Sequence, residues 1–152
     1  MVDKFKVAQP WLTLLARLIL GAVLLVAGAL KVPNLPKSAM AVRAYEMLPI
    51  PMANFLGYTL PWIEIGLGLL LIVGVTVKIS GALGGLTMLA FIIAIAQAWA
   101  RGLSIDCGCF GGGGTIDPEE TKYLSEIIRD IGLLAMGVFL YYFPKGKLSL
   151  DR

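Results

Sequence analysis

The residues of this sequence best suited to chemistry are Cys107 and Cys109, the only cysteines among its 152 residues. They lie in the stretch Ser-Ile-Asp-Cys-Gly-Cys-Phe at residues 104–110, and glycines follow at residues 111–114. A thiolate attacks disulfides and binds soft metal ions. The pair therefore has three candidate roles, which are thiol–disulfide exchange, metal binding and a structural crosslink.

The spacing of the two cysteines favours redox chemistry over crosslinking. Two residues of extended chain span at most about 7 Å. Bonded cysteines have Cα atoms about 4.4–6.8 Å apart, so a Cys107–Cys109 disulfide needs a tight, strained turn. Gly108 makes that turn accessible, because it tolerates backbone angles that a side chain forbids. Strained, exposed disulfides are the easily reduced ones, whereas closing such a short loop adds little stability.

Two other interpretations of the pair stay open. Both cysteines can be reduced and unreactive, since free cysteine is often simply buried. A metal site built from the two thiolates and Asp106 needs further ligands from another molecule, so we assign no metal site to this chain alone. Asp106 also disfavours a neighbouring thiolate, and Arg101 is the nearby charge that can compensate for it.

The sequence contains no histidine, which removes several common chemistries. A Ser-His-Asp site, a histidine-bound haem and a histidine-bound zinc cannot come from this chain alone. Redox activity must then use the thiols or an organic cofactor, for which a quinone is our candidate. The net charge of +3 includes no dense run of Lys or Arg, so we expect no nucleic-acid partner.

The rest of the sequence predicts a membrane scaffold for the cysteine loop. Apolar residues make up 58% and charged residues 15%, against about 45–50% and about 25% in soluble domains. The apolar residues form runs of about 20, the length that crosses a bilayer. We predict an all-α membrane protein, a four-transmembrane-helix bundle in a single domain. Its predicted spans are residues 11–30, 54–73, 79–99 and 123–143.

Shorter features complete this prediction. Residues 1–10 are expected to form a polar leader before the first span. Residues 37–48, bounded by prolines, predict a short interfacial helix between the first two spans. Gly81, Gly84 and Gly85 near the start of the third span are suited to close helix–helix contact, where small residues let backbones meet.

Arg17 and Glu64 are the two ionisable residues well inside the apolar runs of the sequence. Charges inside a bilayer are costly and commonly functional. One interpretation is a buried Arg17–Glu64 ion pair that fixes the packing of the first two spans. The other is that Glu64, with Tyr58 or Gln97, forms a proton or quinone site near the cysteines.

The distribution of basic residues predicts the orientation in the membrane. Six of them fall on each side of the predicted bundle. On one side they cluster tightly at the termini and in the turn between the second and third spans, which favours the cytoplasm for that side. We predict a multi-pass cell-membrane protein with cytoplasmic termini and an extracytoplasmic cysteine loop.

A set of short motifs is distributed along nearly the whole chain. The motifs are Arg17-x3-Gly21, Ala27-Gly28-x2-Lys31, Pro61-Trp62-x-Glu64, Cys107-Gly108-Cys109-Phe110-Gly111 and Arg129-Asp130. Together they resemble the MauE/DoxX family of small four-helix membrane proteins. The C-G-C-F-G element is the most specific motif, and because DoxX-like members lack it, the resemblance is closer to MauE.

The resemblance implies a function associated with redox chemistry. MauE-like proteins accompany thioredoxin-fold partners and are linked to disulfide formation in exported proteins. Their helix arrangement is similar to that of four-helix quinone reductases of the vitamin K epoxide reductase type. This chain has one cysteine pair where that type has two, so the resemblance implies that a thioredoxin-fold partner brings the other dithiol. Other membrane subunits are further candidate partners within the lipid bilayer.

Two functions follow from the sequence. The first is a membrane thiol–disulfide component, a quinone-linked oxidoreductase in which Cys107 and Cys109 are catalytic. The residues predicted to support them are Asp106, Gly108, Phe110, Glu64, Arg17 and Arg101. The second is a non-catalytic assembly or anchor subunit whose cysteine loop docks a partner or handles a metal.

Overall fold

A computed structural model describes residues 2–106, 114–115 and 123–144 of the chain. Within them, five α-helices follow one another: α1 Val2–Lys31, α2 Leu35–Ala44, α3 Ile50–Val73, α4 Val77–Ala100 and α5 Tyr123–Tyr142. A short 3-10 helix, Val32–Asn34, joins α1 to α2. Two short strands, β1 Ile105–Asp106 and β2 Gly114–Thr115, lie between α4 and α5 in the sequence. The predicted all-α bundle is confirmed.

Helix length and composition agree with a membrane location. Within the described ranges, three helical stretches are long and apolar enough to cross a membrane, namely Lys4–Ala44, Ile50–Val73 and Val77–Ala100. α5 occupies the predicted fourth span, but its first turns carry three charges, at Glu126, Arg129 and Asp130. Many large apolar side chains are exposed on the outside of the bundle, where lipid tails would be as apolar as they are.

The first helix extends over most of residues 1–10, the predicted polar leader, so it begins well before the predicted first span. Most of these residues are adequate helix formers, and α1 continues through Pro10. Contacts with the end of α5 hold this part of α1 in place. The Thr13 hydroxyl donates a hydrogen bond of 2.8 Å to the Phe143 carbonyl, and the rings of Phe5 and Phe143 lie 5.5 Å apart.

The short helix predicted after the first span is α2, which ends at Ala44, one turn earlier than predicted. Asn34 caps its beginning, because its Oδ1 accepts a hydrogen bond of 3.3 Å from the Lys37 N–H. Glu46 has a φ of +54°, a left-handed conformation that cannot continue a right-handed helix. The Ser38 hydroxyl donates to a carbonyl of α3 at 2.8 Å, so α2 packs against that helix.

Glycines hold the long helices in two closely packed pairs, α1 with α3 and α4 with α5. A Cβ at Gly68 would lie 2.6 Å from the Gly21 carbonyl oxygen, and a Cβ at Gly137 would lie 2.8 Å from the Gly81 carbonyl oxygen. The Gly85 Cα is equally close to that Gly137 Cβ position. Close contact through these α4 glycines is therefore confirmed. α3 and α4 contact each other far less, which leaves a seam between the two pairs.

Candidate functional site

Most of the predicted cysteine element lies outside the described residues. Cys107, Gly108, Cys109 and Phe110 are all in this part of the chain, and the side chain of Asp106 is also outside the description. Their predicted roles therefore stay predictions. What the structure does describe is the base from which this loop extends.

That base is a stem of two paired strands. β1 and β2 are antiparallel, with Ile105 opposite Thr115 and Asp106 opposite Gly114. Residues 107–113 connect the two strands in the sequence. Both cysteines thus belong to a short connection whose two ends are held side by side by backbone pairing.

The stem is attached to α4 and α5 by buried contacts. The Ile105 N–H donates a hydrogen bond of 3.0 Å to the Tyr123 hydroxyl oxygen, and that hydroxyl donates to the Leu103 carbonyl. Ile105 and Tyr123 are buried in one apolar cluster with Ile95 and Ala98 of α4. The loop that carries the cysteines therefore starts from a fixed position at one end of the bundle.

Arg101 secures the chain between α2 and α3 near this stem. Its Nη1 donates to the Glu46 carbonyl at 3.0 Å and to the Gln97 Oε1 at 2.9 Å. The Gln97 amide in turn donates to the Tyr45 carbonyl at 3.0 Å. These contacts fix the end of α2 against the end of α4. An effect of Arg101 on the thiols stays a prediction.

Inside the bundle, Glu64 pairs with Lys31. The Lys31 Nζ lies 2.9 Å from Oε1 and 3.1 Å from Oε2 of Glu64, and the side chains are only 5% and 0% exposed. The prediction that Arg17 is the partner of Glu64 is therefore wrong. Among the described residues, Lys31 is the hydrogen-bonding partner of Glu64, and neither Tyr58 nor Gln97 joins it.

Close contact between α1 and α3 explains this pairing. A Cβ at Gly28 would lie 2.5 Å from the Pro61 carbonyl oxygen, so the two backbones touch beside the ion pair. Gly28 and Lys31 are three residues apart, as are Pro61 and Glu64, and residues at that spacing share one face of a helix. The sequence prediction missed Lys31 as the partner of Glu64. The matching three-residue spacings, Gly28 to Lys31 and Pro61 to Glu64, were the signal in the sequence that indicated it.

Arg17 instead caps the end of α3. Its Nε donates to the Leu71 carbonyl at 3.0 Å and its Nη2 to the Ile72 carbonyl at 3.5 Å. Carbonyls in the last turn of a helix have no N–H partner within that helix, so a buried cation there satisfies them. Leu71 is seven residues beyond Glu64 on α3, about 10 Å along the axis. That distance explains why the predicted Arg17–Glu64 pair does not form.

A second ion pair lies close to the first. The Arg129 Nε and Nη2 each lie 2.9 Å from Oδ1 of Asp130, which is 1% exposed. Asp130 and Phe91 border the same small cavity between α1, α4 and α5. The Lys31 Nζ lies 5.4 Å from the centre of the Phe91 ring. Phe91 is therefore next to both ion pairs.

Phe91 also lines a larger groove of about 490 Å³ at the seam between α3 and α4. The lining is formed mainly by apolar side chains, including Leu60, Ile63 and Leu67 of α3 and Leu86, Ala90 and Phe91 of α4. Residues 45–48, between α2 and α3, contribute Tyr45, Met47 and Leu48 to one end. The groove is thus a lateral opening in the bundle with a buried ion pair behind one wall.

Long apolar helices that enclose paired charges define a multi-pass helical membrane protein. A family model described as "Methylamine utilisation protein MauE" matches residues 9–143, and the chain belongs to this family. "Methylamine utilization protein MauE" of Methylorubrum extorquens is 35% identical over 107 residues, which cover 70% of this chain and 58% of that protein. The chain thus spans under two thirds of its relative's length.

No solved structure matches the chain. The predicted MauE membership is confirmed, and the likeness to DoxX stays a prediction.

Proposed function

We propose that this chain is a thiol–disulfide redox component of the cell membrane, in which Cys107 and Cys109 alternate between dithiol and disulfide. The strand-paired stem is the observation that carries the proposal. It holds together the ends of the connection that contains both cysteines, and Ile105 and Tyr123 attach it to the bundle. A reactive pair on a fixed base can meet a partner in a defined orientation, which favours reaction.

The proposed exchange passes through a mixed disulfide. A thiolate of the reduced partner attacks the Cys107–Cys109 disulfide, an intermolecular S–S bond forms, and one cysteine leaves as a thiolate. The partner's second thiolate then attacks that bond, so the partner becomes oxidised and Cys107 and Cys109 become a dithiol. Two electrons and two protons pass from this dithiol to a membrane quinone, which becomes a quinol as the disulfide forms again.

A thioredoxin-fold protein is the partner that we propose, because a chain with a single cysteine pair needs a second dithiol from elsewhere. We place the cysteine loop on the extracytoplasmic side and the termini in the cytoplasm, as the clustered basic residues favour. The name of the relative connects that protein with methylamine utilisation. By analogy, we propose that the partner's targets are exported proteins of amine utilisation.

A second candidate function is that of a non-catalytic assembly or anchor subunit. A cleft of about 320 Å³ lies between the end of α2 and the stem, and Arg43, Glu46, Ser104 and Ile105 are among its lining residues. A partner segment bound in this cleft would lie beside the cysteine loop without exchanging disulfides. In this function the loop docks the partner or handles a metal.

Replacement of both cysteines separates the two functions. We expect Cys107→Ser with Cys109→Ser to slow the formation of disulfides in exported proteins at least tenfold in cells. Ser125→Ala, a change at an exposed residue near the start of α5 that leaves both thiols, is the matched control and should keep the normal rate. An unchanged rate in the double variant would reject the redox function and favour the anchor subunit.

Thiol trapping in whole cells tests orientation and redox state together. A membrane-impermeant maleimide should label Cys107 and Cys109 only after mild reduction. The control is Thr76→Cys in a cysteine-free chain, which places a thiol in the turn at the opposite end of the bundle. That thiol should be protected in intact cells. Labelling of Thr76→Cys with protection of the native pair would reverse the proposed orientation.

A further inference from the structure

We propose that the groove between α3 and α4 binds a prenylated quinone, with the quinone ring beside Phe91 and the prenyl chain along the apolar walls. This inference rests on the proposed function, which needs a quinone as electron acceptor. It adds the location of the ligand and the residues that recognise it.

The size and lining of the groove suit such a ligand. Its volume of about 490 Å³ falls within the range of about 300–1,000 Å³ that is usual for small-molecule sites. Leu86 and Ile63 on its walls are 58% and 44% exposed, so the groove opens sideways towards lipid. A lipophilic ligand can therefore enter from the bilayer without crossing water.

The packing of the bundle keeps this groove open. α1 contacts α3, and α4 contacts α5, through backbone approaches at glycines such as Gly68 and Gly137. Because each pair is fixed by backbone contact, α3 and α4 are held by α1 and α5 and pack far less against each other. The seam is therefore a built-in gap that a ligand can fill.

A buried cation near the groove argues for a ligand with a polar ring. An ammonium has three N–H donors, and Lys31 directs two of its contacts to the oxygens of Glu64. Its Nζ also lies 5.4 Å from the centre of the Phe91 ring, and Phe91 lines the groove. Lys31 is not itself a lining residue of the groove, so a quinone carbonyl beside Phe91 would be attracted to this cation across the Phe91 ring, an attraction that a lipid acyl chain does not have.

The same region of the bundle carries the cysteine loop. Phe91 packs against the apolar cluster that includes Ile105 and Tyr123, the residues that anchor the stem. Ala100, the last residue of α4, is nine residues beyond Phe91, about 14 Å along the helix axis. A quinone ring at Phe91 would thus lie in the half of the bundle from which the stem extends.

The binding of decylubiquinone tests the site independently of thiol exchange. The protein carries Cys107→Ser and Cys109→Ser, is placed in phosphatidylcholine nanodiscs, and is titrated by calorimetry. Ala90→Phe fills the groove from its α4 wall and should weaken binding at least tenfold. Ala135→Phe is the matched control, since Ala135 is also exposed but lies on α5 away from the groove. It should change binding less than twofold.

The remaining outcomes are equally decisive. If Ala90→Phe does not fold, as judged by circular dichroism, Ala94→Leu tests the same wall and should weaken binding at least threefold. Unchanged binding in a folded groove variant would overturn the proposal. Decanol has the same alkyl length without the ring, and equal affinity for decanol with equal sensitivity to Ala90→Phe would identify a lipid site instead.

The test also separates this inference from the proposed function. Quinone binding at the groove, combined with normal disulfide formation in cells lacking the cysteine pair, would keep the site and reject the redox function. Loss of disulfide formation without the pair, combined with no quinone binding, would keep the redox function and reject the site.

Discussion

Lys31 and Glu64 form an ion pair of 2.9 Å that is enclosed between α1 and α3. The pair joins the helix that begins the bundle to the helix that borders the groove. Charges in such surroundings are tolerated when they are paired, and their partners usually face the interior of the bundle. The pair therefore contributes to the specificity of α1–α3 packing as well as to the chemistry that we propose.

Loss of one member of this pair should destabilise the protein strongly. Removing one partner of a buried ion pair costs about 3–5 kcal/mol, because the other charge stays buried without its counterion. We expect this loss in Lys31→Met, and a recovery of most of it when Glu64→Leu is added. Denaturant unfolding in detergent measures both. Lys37→Met, at an exposed lysine, is the control, and an equal loss in that variant would contradict the expectation.

A double-mutant cycle should distinguish the partner of Glu64 from the residue that the sequence suggested. Lys31→Gln and Glu64→Gln should be coupled by about 0.5–3 kcal/mol, and Arg17→Gln and Glu64→Gln should be additive to within about 0.5 kcal/mol. The reason is that Arg17 bonds to carbonyls of α3 at Leu71 and Ile72.

Redox activity that survives Arg17→Gln combined with Glu64→Gln would exclude a proton-transfer role for the Glu64 carboxyl.

The Tyr123 hydroxyl should control the position of the cysteine loop. Tyr123→Phe removes the acceptor of the buried Ile105 N–H, and an unsatisfied buried group costs about 1–3 kcal/mol. We expect thiol exchange with a thioredoxin-fold protein to slow severalfold, with the helix content unchanged. Tyr142→Phe, at a tyrosine that is 69% exposed, is the control. Equal exchange rates for the two variants would show that this anchor does not matter.

The glycine contacts between α1 and α3 should tolerate no added methyl group. A Cβ at Gly28 would lie 2.5 Å from the Pro61 carbonyl oxygen, and overpacking typically costs about 1–3 kcal/mol. We therefore expect Gly28→Ala to lower the free energy of unfolding by this amount. A methyl group added at Gly66 would meet no atom within 4 Å, so Gly66→Ala should be neutral or stabilising by about 0.5–1 kcal/mol. A comparison of thermal midpoints in one detergent checks both expectations, and equal midpoints for the two variants would contradict them.

The length of the apolar runs predicted the helices, because a helix that crosses a lipid bilayer needs about 20 predominantly apolar residues. The ends were less predictable, since local features set them. α3 ends before Gly74, which has a φ of +87°, and α2 ends before Glu46, which has a φ of +54°. Glycine indicates the first of these ends in the sequence. A glutamate in the left-handed region gives no such signal, so the prediction extended α2 one turn too far.

The side-chain pairs were harder to predict than the helices. α3 and α4 are apolar almost all round, so their sequences do not indicate which face turns inwards. Unless the orientation of each helix about its own axis is known, the partner of Glu64 cannot be chosen among the cations at similar depth. Lys31 follows a long apolar run and resembles a charge at the membrane surface, yet it is 5% exposed. The close approach at Gly28 is what brings it inside.

The pairing of α1 with α3 has a consequence for biogenesis. α1 carries Lys31 and Arg17 towards the membrane before α3, which supplies their partners, has emerged from the ribosome. Glu64 follows Lys31 by 33 residues, and the Leu71 carbonyl follows Arg17 by 54. We therefore expect α1 to stay at the insertion machinery until α3 emerges. We expect the two helices to leave the translocon as one unit, with α4 and α5 joining a preassembled half.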